Sequence, residues 1–348
     1  MTSVTMPSAT ESRQTMVDRL TAVVARFLPG AQVTALSRLT GGANQQMWAL
    51  DAVQDGKVTG LVLRQASDWN TDDDTAMLLD NEARLLIRAG RHGIAVPEVA
   101  CILEPDDGLG TGYLMSRVEG ETIPQKILRD ERFSAARQRL ARQCGEALAQ
   151  IHRVPVDDLG FLRAQSADTL VENLYTEYKG YREPRPVFEL AFRWLREHLP
   201  AAPSRYSLVH GDFRNGNLMV DESGLKSVLD WELAYVGDPM ADLGWLCVPS
   251  WRFGQIDSPV GGFGSLEALF DGYEQVAGFR PDAEAVRFWE IFGILKWGVI
   301  CQKMAASFIS GTDTSPERGA IGRRTSETEV DLLQALVPLP SLSAVADD

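Results

Sequence analysis

The chain has 348 residues, a length that suggests two compact units or one large unit with two lobes. Hydrophobic residues make up 45% and charged residues 24%, which is typical of a globular protein and excludes a largely disordered one. The formal net charge of −14 argues against binding to nucleic acids or anionic membranes, because an acidic protein repels phosphate groups.

The sequence carries no signal for export, membrane insertion or a cysteine metal centre. The N-terminal segment lacks the basic and apolar regions of a secretory signal, and no apolar run reaches about 18 residues. The four cysteines form no CxxC pair. We therefore expect a soluble cytoplasmic protein with no membrane span and no disulfide framework.

The first third of the chain is predicted to be rich in strands. Apolar residues at helical spacing predict a helix over 16–28, which Pro29-Gly30 would end. A second helix is expected over about 75–89, before Gly90. Runs of β-forming residues predict five strands, over 33–39, 46–53, 60–65, 96–103 and 112–118.

The remainder is predicted to be mainly helical. Its expected elements are helices over 134–152 and about 187–198, a strand over 206–209 and a hairpin over 218–229. Beyond the hairpin, helix is expected to about residue 338, except for loops over 259–264 and 311–322. The predicted organisation is thus a strand-rich part over 1–115, a hinge over 116–120 and a helical part over 121–348.

One segment combines the residue types that phosphoryl transfer needs. Asp212 is followed five positions later by Asn217, and Asp230 comes thirteen positions after that. The predicted hairpin could bring Asn217 and Asp230 together, and their oxygens would suit Mg²⁺, which prefers few protein ligands plus phosphate oxygens. Each residue alone would more often cap a turn. The three in this order favour phosphoryl transfer, which depends on positioning and on neutralising phosphate charge.

Two motifs, HGDFRNGNL at 210–218 and LDWELAYVGDPMADL at 229–243, resemble those of the aminoglycoside phosphotransferases and choline kinase-like enzymes. They are similar in detail to the branch that includes the kinase-like domain fused to some acyl-CoA dehydrogenases. The resemblance extends over roughly residues 36–305. It implies an α+β, bilobal protein-kinase-like fold, with a small N-lobe of antiparallel sheet plus one helix and a larger, mainly helical C-lobe.

Carried over position by position, the resemblance implies that Asp212 is the catalytic base and that Asn217 and Asp230 bind the metal. Positions with structural roles in the family are matched by His210, Asp238 and Asp242. Glu232 stands where a protein kinase has a glycine. It could contact metal or substrate, or it could be a solvated carboxylate.

The resemblance also implies a phosphate-binding half. Gly41, Gly42 and Asn44 resemble the loop that covers the phosphates, although the same residues would suit an ordinary hairpin turn. Arg64 stands where protein kinases carry a phosphate-binding lysine, and a guanidinium can also neutralise phosphate. Glu82 could pair with Arg64, or it could be a surface residue paired with a nearby arginine.

The adenine position follows from the same resemblance. The stretch 112–120 resembles the strand and hinge that link the two lobes. Backbone groups near Met115 to Arg117 would hydrogen-bond adenine, and the side chains of Leu63 and Met115 would form apolar walls.

The leading hypothesis is an ATP- and Mg²⁺-dependent kinase that phosphorylates a hydroxyl group of a small molecule. The alternative is a nucleotide-binding pseudokinase or scaffold, which the substitution at Arg64 and the weak phosphate loop would support. A protein kinase lacks support because no APE-like motif is recognisable. No obligatory protein partner is evident.

The sequence leaves the acceptor undefined. Acceptor-binding residues are expected within 159–185 and 251–279, where many aromatic residues, including Trp251, would suit an apolar or acyl substrate. The carboxylates in these stretches would instead suit an amine-bearing acceptor. They are Asp168, Glu172, Glu177, Asp257 and Asp271.

Overall fold

The computed structural model describes residues 9–39, 45–66 and 77–337 of the chain, with side chains from residue 13 onward. The chain forms two compact units. The first comprises Met1–Glu119 and Ser227–Leu233, and the second comprises Gly120–Lys226 and Ala234–Asp348. An antiparallel sheet dominates the first unit and helices dominate the second, which confirms the predicted α+β class.

The first unit is built on a five-stranded antiparallel sheet in the order β1-β2-β3-β5-β4. Its elements are α1 (Ala9–Val24), β1 (Gln32–Leu39), β2 (Gln45–Gln54), β3 (Lys57–Ala66), α2 (Leu79–Arg91), β4 (Val99–Ile102) and β5 (Gly112–Ser116). The turn between β2 and β3 is formed by Asp55 and Gly56, which both have positive φ, as a tight two-residue hairpin requires.

The two helices of this unit lie against opposite faces of the sheet. Successive residues of a strand point to opposite faces. Leu63 of β3 belongs to a buried cluster that includes Leu20 of α1. The next residue, Arg64, contacts Glu82 of α2 instead. The sheet therefore buries Arg64 on the side that α2 covers.

Several predicted boundaries differ from the observed ones. Helix α1 begins at Ala9 and ends at Val24, because residues 25–28 form single turns before Pro29, which disfavours helix at the preceding residue. Strand β4 covers only Val99–Ile102, after Pro97, which has no N–H to donate. Gly41, Gly42 and Asn44 lie outside the described residues.

The second unit contains nine helices and short strands within residues 120–337. The helices are α3 (Pro124–Arg129), α4 (Ser134–His152), α5 (Ala167–Gly180), α6 (Pro186–Glu197), α7 (Met240–Cys247), α8 (Leu266–Ala277), α9 (Ala283–Ser310), α10 (Pro316–Gly322) and α11 (Thr325–Leu336). The strands are β6 (Ser207–Val209), β7 (Leu218–Asp221), β8 (Gly224–Val228) and β9 (Tyr235–Gly237). β6 pairs with β9, and β7 pairs with β8, whose last two residues belong to the first unit.

Helix α9 is the centre of the second unit. It has 28 residues, and α5, α6, α7, α10 and α11 pack against it. Its neighbour α7 follows directly after β9, which pairs with β6. The packing on α9 thereby fixes the strand that leads into the motif beginning at His210. No helix in the described part of the chain is both long enough and apolar enough to cross a bilayer.

Four of the elements listed above for the second unit were not expected from the sequence. They are α3, α5, β9 and α10. The sequence predicts a loop over 311–322, but α10 forms within it because Ser315 caps the helix by accepting from the Arg318 N–H, and Pro316 occupies the first turn.

Glycines allow α4 and α8 to approach closely. A Cβ at Gly145 of α4 would lie 2.1 Å from the Leu269 carbonyl oxygen, and one at Gly272 of α8 would lie 2.0 Å from the Arg142 carbonyl oxygen. Both distances are far below van der Waals contact, so only glycine fits at either position. This crossing matters for the site because α4 ends at His152 and α8 carries Tyr273.

We predict that Gly145→Ala lowers the free energy of unfolding by at least about 2 kcal/mol. Displacing a helix backbone costs about 3 kcal/mol or more, and the gain in helix propensity of about 1 kcal/mol offsets only part of that. Urea unfolding followed by circular dichroism measures the difference.

The matched control is Gly180→Ala at the exposed end of α5, where an added Cβ meets no atom within 4 Å. We expect this change to leave the stability unchanged or to raise it by up to about 1 kcal/mol. Equal effects of the two substitutions would show that the α4–α8 contact does not require glycine.

Candidate active site

Hydrogen bonds from its backbone N–H groups hold the segment between β6 and β7 in place. The N–H of His210 donates to Oδ2 of Asp242 over 2.8 Å, and the N–H of Gly211 donates to Oδ1 of the same carboxylate over 2.9 Å. The N–H of Asp212 is 3.2 Å from Nδ1 of His210. Asp242, on α7, therefore fixes the conformation of the residues that precede Asp212.

Asp242 is fully buried and belongs to a polar chain that crosses three helices. His152 Nε2 lies 3.1 Å from its Oδ2, and the Tyr273 hydroxyl lies 3.0 Å from His152 Nδ1. Burial, the largest influence, would raise the pKa of Asp242. The hydrogen bonds and charge from His152 and His210 outweigh it and hold the pKa below its ordinary value.

Asp212 has a fixed side-chain orientation. Its Oδ1 accepts from Nε1 of Trp245 over 2.8 Å and from Nε of Arg214 over 3.0 Å. Its Oδ2 accepts from Nδ2 of Asn217 over 2.6 Å. The structure thus places Asn217, a predicted metal ligand, directly beside the predicted base.

Two cations and three tryptophans surround Asp212. The Arg214 guanidinium lies 4.7 Å from the Trp251 ring centre, and Lys296 Nζ lies 4.6 Å from that of Trp245. Trp251 is 5.2 Å from Trp245 and 4.9 Å from Trp297, between ring centres. Burial lowers the pKa of Lys296, although the charge of Asp212 opposes this.

Two of these residues are not singled out by the sequence motifs. Trp245 lies three positions beyond Asp242, on the same helix, so its place in the site follows only from the way that α7 packs. Lys296 lies in the apolar run IFGILKWGVI of α9. A single charged residue inside such a run is the signal that could have identified it, because lysine is rarely buried without a reason.

The first unit contains a second polar cluster, centred on Arg64. Its Nε is 3.2 Å from Glu82 Oε2, and its terminal nitrogen is 2.9 Å from Asp230 Oδ1 and 3.0 Å from Glu232 Oε2. Gln45 accepts from Arg64 and donates to Glu232 over 3.0 Å. Arg64 thus pairs with Glu82, the partner left open by the sequence, and with two further carboxylates.

The backbone around Asp230 has an unusual conformation. Asp230 has φ +65°, a left-handed conformation that aspartate and asparagine tolerate better than other non-glycine residues. The next residue, Trp231, is fully buried, and its indole N–H donates to the Val228 carbonyl over 3.2 Å. The N–H of Met77 donates to the Glu232 carbonyl over 3.0 Å. These contacts turn Asp230 and Glu232 toward Arg64.

Met115 lies inside the sheet and not at a free edge. It pairs with Val62 on one side and Val99 on the other. The next two amides are also engaged, because Ser116 N–H donates to the Glu98 carbonyl over 2.8 Å and Arg117 N–H donates to the Gly60 carbonyl over 3.0 Å. The N–H groups of Ser116 and Arg117 thus serve the sheet, and the expectation that backbone groups near Met115 to Arg117 hydrogen-bond adenine stays a prediction.

Glu82 is the most constrained carboxylate of the Arg64 cluster. Only 1% of its surface is exposed, and its Oε2 accepts no hydrogen bond from the described residues, since the Arg64 Nε–H donates to Gln45 instead. Burial is the largest influence and raises the pKa of Glu82 from 4.5 to about 7. Arg64 opposes the shift, whereas Asp230 and Glu232 add to it.

We predict that the free energy of unfolding falls as the pH rises from about 4.5 to 7. In this range folded Glu82 keeps a proton that the unfolded chain has lost, so the folded state is favoured at the lower pH. The pKa difference of about 2.5, at about 1.4 kcal/mol for each pKa unit, gives an upper limit of about 3.5 kcal/mol.

Chemical denaturation at a series of pH values tests this expectation. Glu82→Gln should flatten the pH dependence in this window, whereas Glu98→Gln, at an exposed position, should not. The same slope in wild type and Glu82→Gln would contradict the assignment.

Residues 35–279 match the model of the phosphotransferase enzyme family, known as APH. Acyl-CoA dehydrogenase family member 10 of Mus musculus is 26% identical over 275 residues, which cover 72% of this chain and 25% of that protein. The chain spans about a quarter to a third of the length of the curated relatives it matches.

Solved structures share the fold. An aminoglycoside phosphotransferase homologue from Ralstonia eutropha superposes with a TM-score of 0.71 at 22% identity, covering 91% of this chain and 97% of that one. The aminoglycoside phosphotransferase APH(4)-Ia, in a ternary complex with AMP-PNP and hygromycin B, gives 0.57 at 17% identity, covering 92% and 99%. The family match spans most of the chain, and the fold is that of these kinase-like enzymes: the protein belongs to the phosphotransferase enzyme family.

Proposed function

We propose that the protein is a phosphotransferase that moves the γ-phosphoryl group of ATP to a hydroxyl group of a small molecule, with Mg²⁺ as the cofactor. The observation that carries this proposal is the carboxylate of Asp212, which three side-chain donors orient and which sits in a segment anchored on Asp242. Such pre-organisation is what a residue that positions a nucleophile requires.

Asp212 acts on the acceptor. Its carboxylate accepts the proton of the acceptor hydroxyl while the hydroxyl oxygen forms a bond to the γ-phosphorus. The bond between that phosphorus and the β–γ bridging oxygen breaks, and ADP leaves with the bonding electron pair. Asn217 holds Asp212 through a 2.6 Å hydrogen bond, and its side-chain oxygen is the proposed metal ligand on this segment.

The Arg64 cluster serves the nucleotide. The guanidinium is permanently charged and neutralises phosphate oxygens, and Glu82 holds it from the α2 side. Asp230, about a third exposed, is the second proposed Mg²⁺ ligand, with Glu232 two residues further on. Mg²⁺ supplies charge neutralisation and orientation of the phosphates. Within the described ranges, no group of three or more His, Cys, Asp or Glu residues is placed to hold a metal ion.

Nucleotide use in related proteins supports the proposal. The solved structure of APH(4)-Ia contains AMP-PNP, a non-hydrolysable ATP analogue. Gly41, Gly42, Asn44 and the side chain of Met115 are proposed to contact the nucleotide, on the basis of the motif resemblance.

We predict that Asp212→Asn lowers acceptor-dependent turnover by about 10²–10⁴-fold, the usual contribution of a general base, while changing the Kd for ATP by less than about threefold. The assay is ADP release with Mg-ATP and a panel of aminoglycosides, choline-like alcohols, hydroxy acids and hydroxyacyl-CoA thioesters. Asp157→Asn, at an exposed position outside the expected acceptor-binding stretches, is the control.

Two results would count against this proposal in different ways. Equal turnover in wild type and Asp212→Asn would remove Asp212 from the chemistry. ATP binding without ADP release for any acceptor would instead support a nucleotide-binding pseudokinase.

We predict that Asp230→Asn weakens Mg-ATP binding by about 10–100-fold, because a charge-assisted contact contributes about 1.5–3 kcal/mol. Asparagine is preferred over alanine since it tolerates the left-handed backbone at this position. Calorimetric titration with Mg-ATP and with metal-free ATP separates the two contributions. The metal-free affinity should change little, and a loss of the same size without Mg²⁺ would rule out the metal role.

A further inference from the structure

The environment of Asp212 is rich in hydrogen-bond donors that lack acceptors. Lys296 has three N–H bonds, yet its only hydrogen bond among the described residues is a long one, 3.5 Å, to the Gly211 carbonyl. It has no carboxylate partner within 4 Å in the same part of the chain. The indole N–H groups of Trp251 and Trp297 are buried and have no acceptor there either.

Unpaired donors of this kind are unfavourable in an empty site. A partly buried ammonium loses hydration, and for Lys296 the long bond to Gly211 and the charge of Asp212 replace only part of it. Stacking of Lys296 on Trp245 compensates only in part, since a cation–π contact contributes about 0.5–2 kcal/mol. A ligand that brings oxygen acceptors with negative charge would satisfy Lys296 and the indoles together.

Most of the carboxylates that would suit an amine-bearing acceptor have hydrogen-bond or ion-pair partners of their own. Arg196 binds Glu172 at 2.7 Å, Tyr181 donates to Glu177 at 2.9 Å, and Arg280 binds Asp271 at 3.0 Å. Asp168 accepts from Ser166, and Asp257 is exposed. Two cations act directly on Asp212: Arg214 binds its carboxylate at 3.0 Å, and Lys296 interacts with its charge, as it does with those of Asp242 and Glu177.

We propose that Lys296 binds an oxyanion of the acceptor beside Asp212, so that the acceptor is an anionic alcohol, carrying a carboxylate or phosphate group near its reactive hydroxyl. This inference rests on the proposed function for the identity of Asp212 as the base. It assigns to Lys296 the role of a specificity-determining residue and excludes polyamines as preferred acceptors.

Matched pairs of acceptors test the proposal by kinetics. Suitable pairs are lactate with lactamide, 3-hydroxybutyrate with 3-hydroxybutyramide, and glycerol 3-phosphate with glycerol. For the pair that the enzyme uses best, we expect wild type to prefer the anion by at least about tenfold in kcat/KM. Lys296→Gln should abolish the preference through a rise in acceptor KM, Lys296→Arg should retain part of it, and Lys303→Gln, exposed on the same helix, should retain all of it.

The oxyanion could also belong to the transferred phosphoryl group, and the same experiment separates these sources. In that case Lys296→Gln would lower kcat/KM equally for the charged and the neutral member of each pair and would weaken AMP-PNP binding. That result would overturn the assignment to the acceptor.

Binding without turnover separates failure of this inference from failure of the proposed function. Tryptophan fluorescence reports on Trp245, Trp251 and Trp297, and it can be titrated with the same pairs in the absence of nucleotide. Tighter binding of the anion in wild type, lost in Lys296→Gln, supports the inference even if no phosphoryl transfer occurs. Equal binding of the two members, or binding of neither, would overturn it.

Discussion

The contact on which the second unit's site depends is the one between the buried carboxylate of Asp242 and two backbone N–H groups, those of His210 and Gly211. An ionised carboxylate without partners would be very unfavourable at this depth. His152, itself held by Tyr273, donates a third hydrogen bond and so makes the burial possible. The orientation of Asp212 therefore depends on side chains of α4, α7 and α8 that anchor the segment before it.

In the first unit the charges are reversed: one buried cation, Arg64, lies among three carboxylates. Arg64 contacts Glu82, Asp230 and Glu232. Burial, with a smaller contribution from the charges of Asp230 and Glu232, raises the pKa of Glu82 to about 7. Three carboxylates around one guanidinium leave negative charge unbalanced. Such a cluster suits a site that receives a cation together with phosphate. The clusters around Arg64 and around Asp212 thus both hold charges that the reactants of a phosphoryl transfer would balance.

Local sequence patterns predicted many helices and strands. For α4 the predicted first and last residues equal the observed ones, because its apolar stripe and both ends are marked in the sequence. The motif order also identified Asp212, Asn217 and Asp230 as the polar residues to examine. The sequence could not show that Asp230 belongs to the first unit while Asn217 belongs to the second, because that division depends on long-range packing. Lys296 was missed for the same reason, since only the packing of α9 brings it to Gly211.

The chain could be a small-molecule kinase or a nucleotide-binding pseudokinase. The Arg64 cluster would bind nucleotide in both cases, but only in a kinase would Asp212 take part in phosphoryl transfer. The most direct measurement is phosphorus NMR of the products formed from Mg-ATP and an acceptor, with wild type and Asp212→Asn compared at equal nucleotide occupancy. The account predicts a phosphate-ester resonance that grows with that of ADP in wild type and is reduced at least about a hundredfold in the variant. An ester formed equally fast by both proteins, or none from a wild type that binds ATP and acceptor, would contradict it.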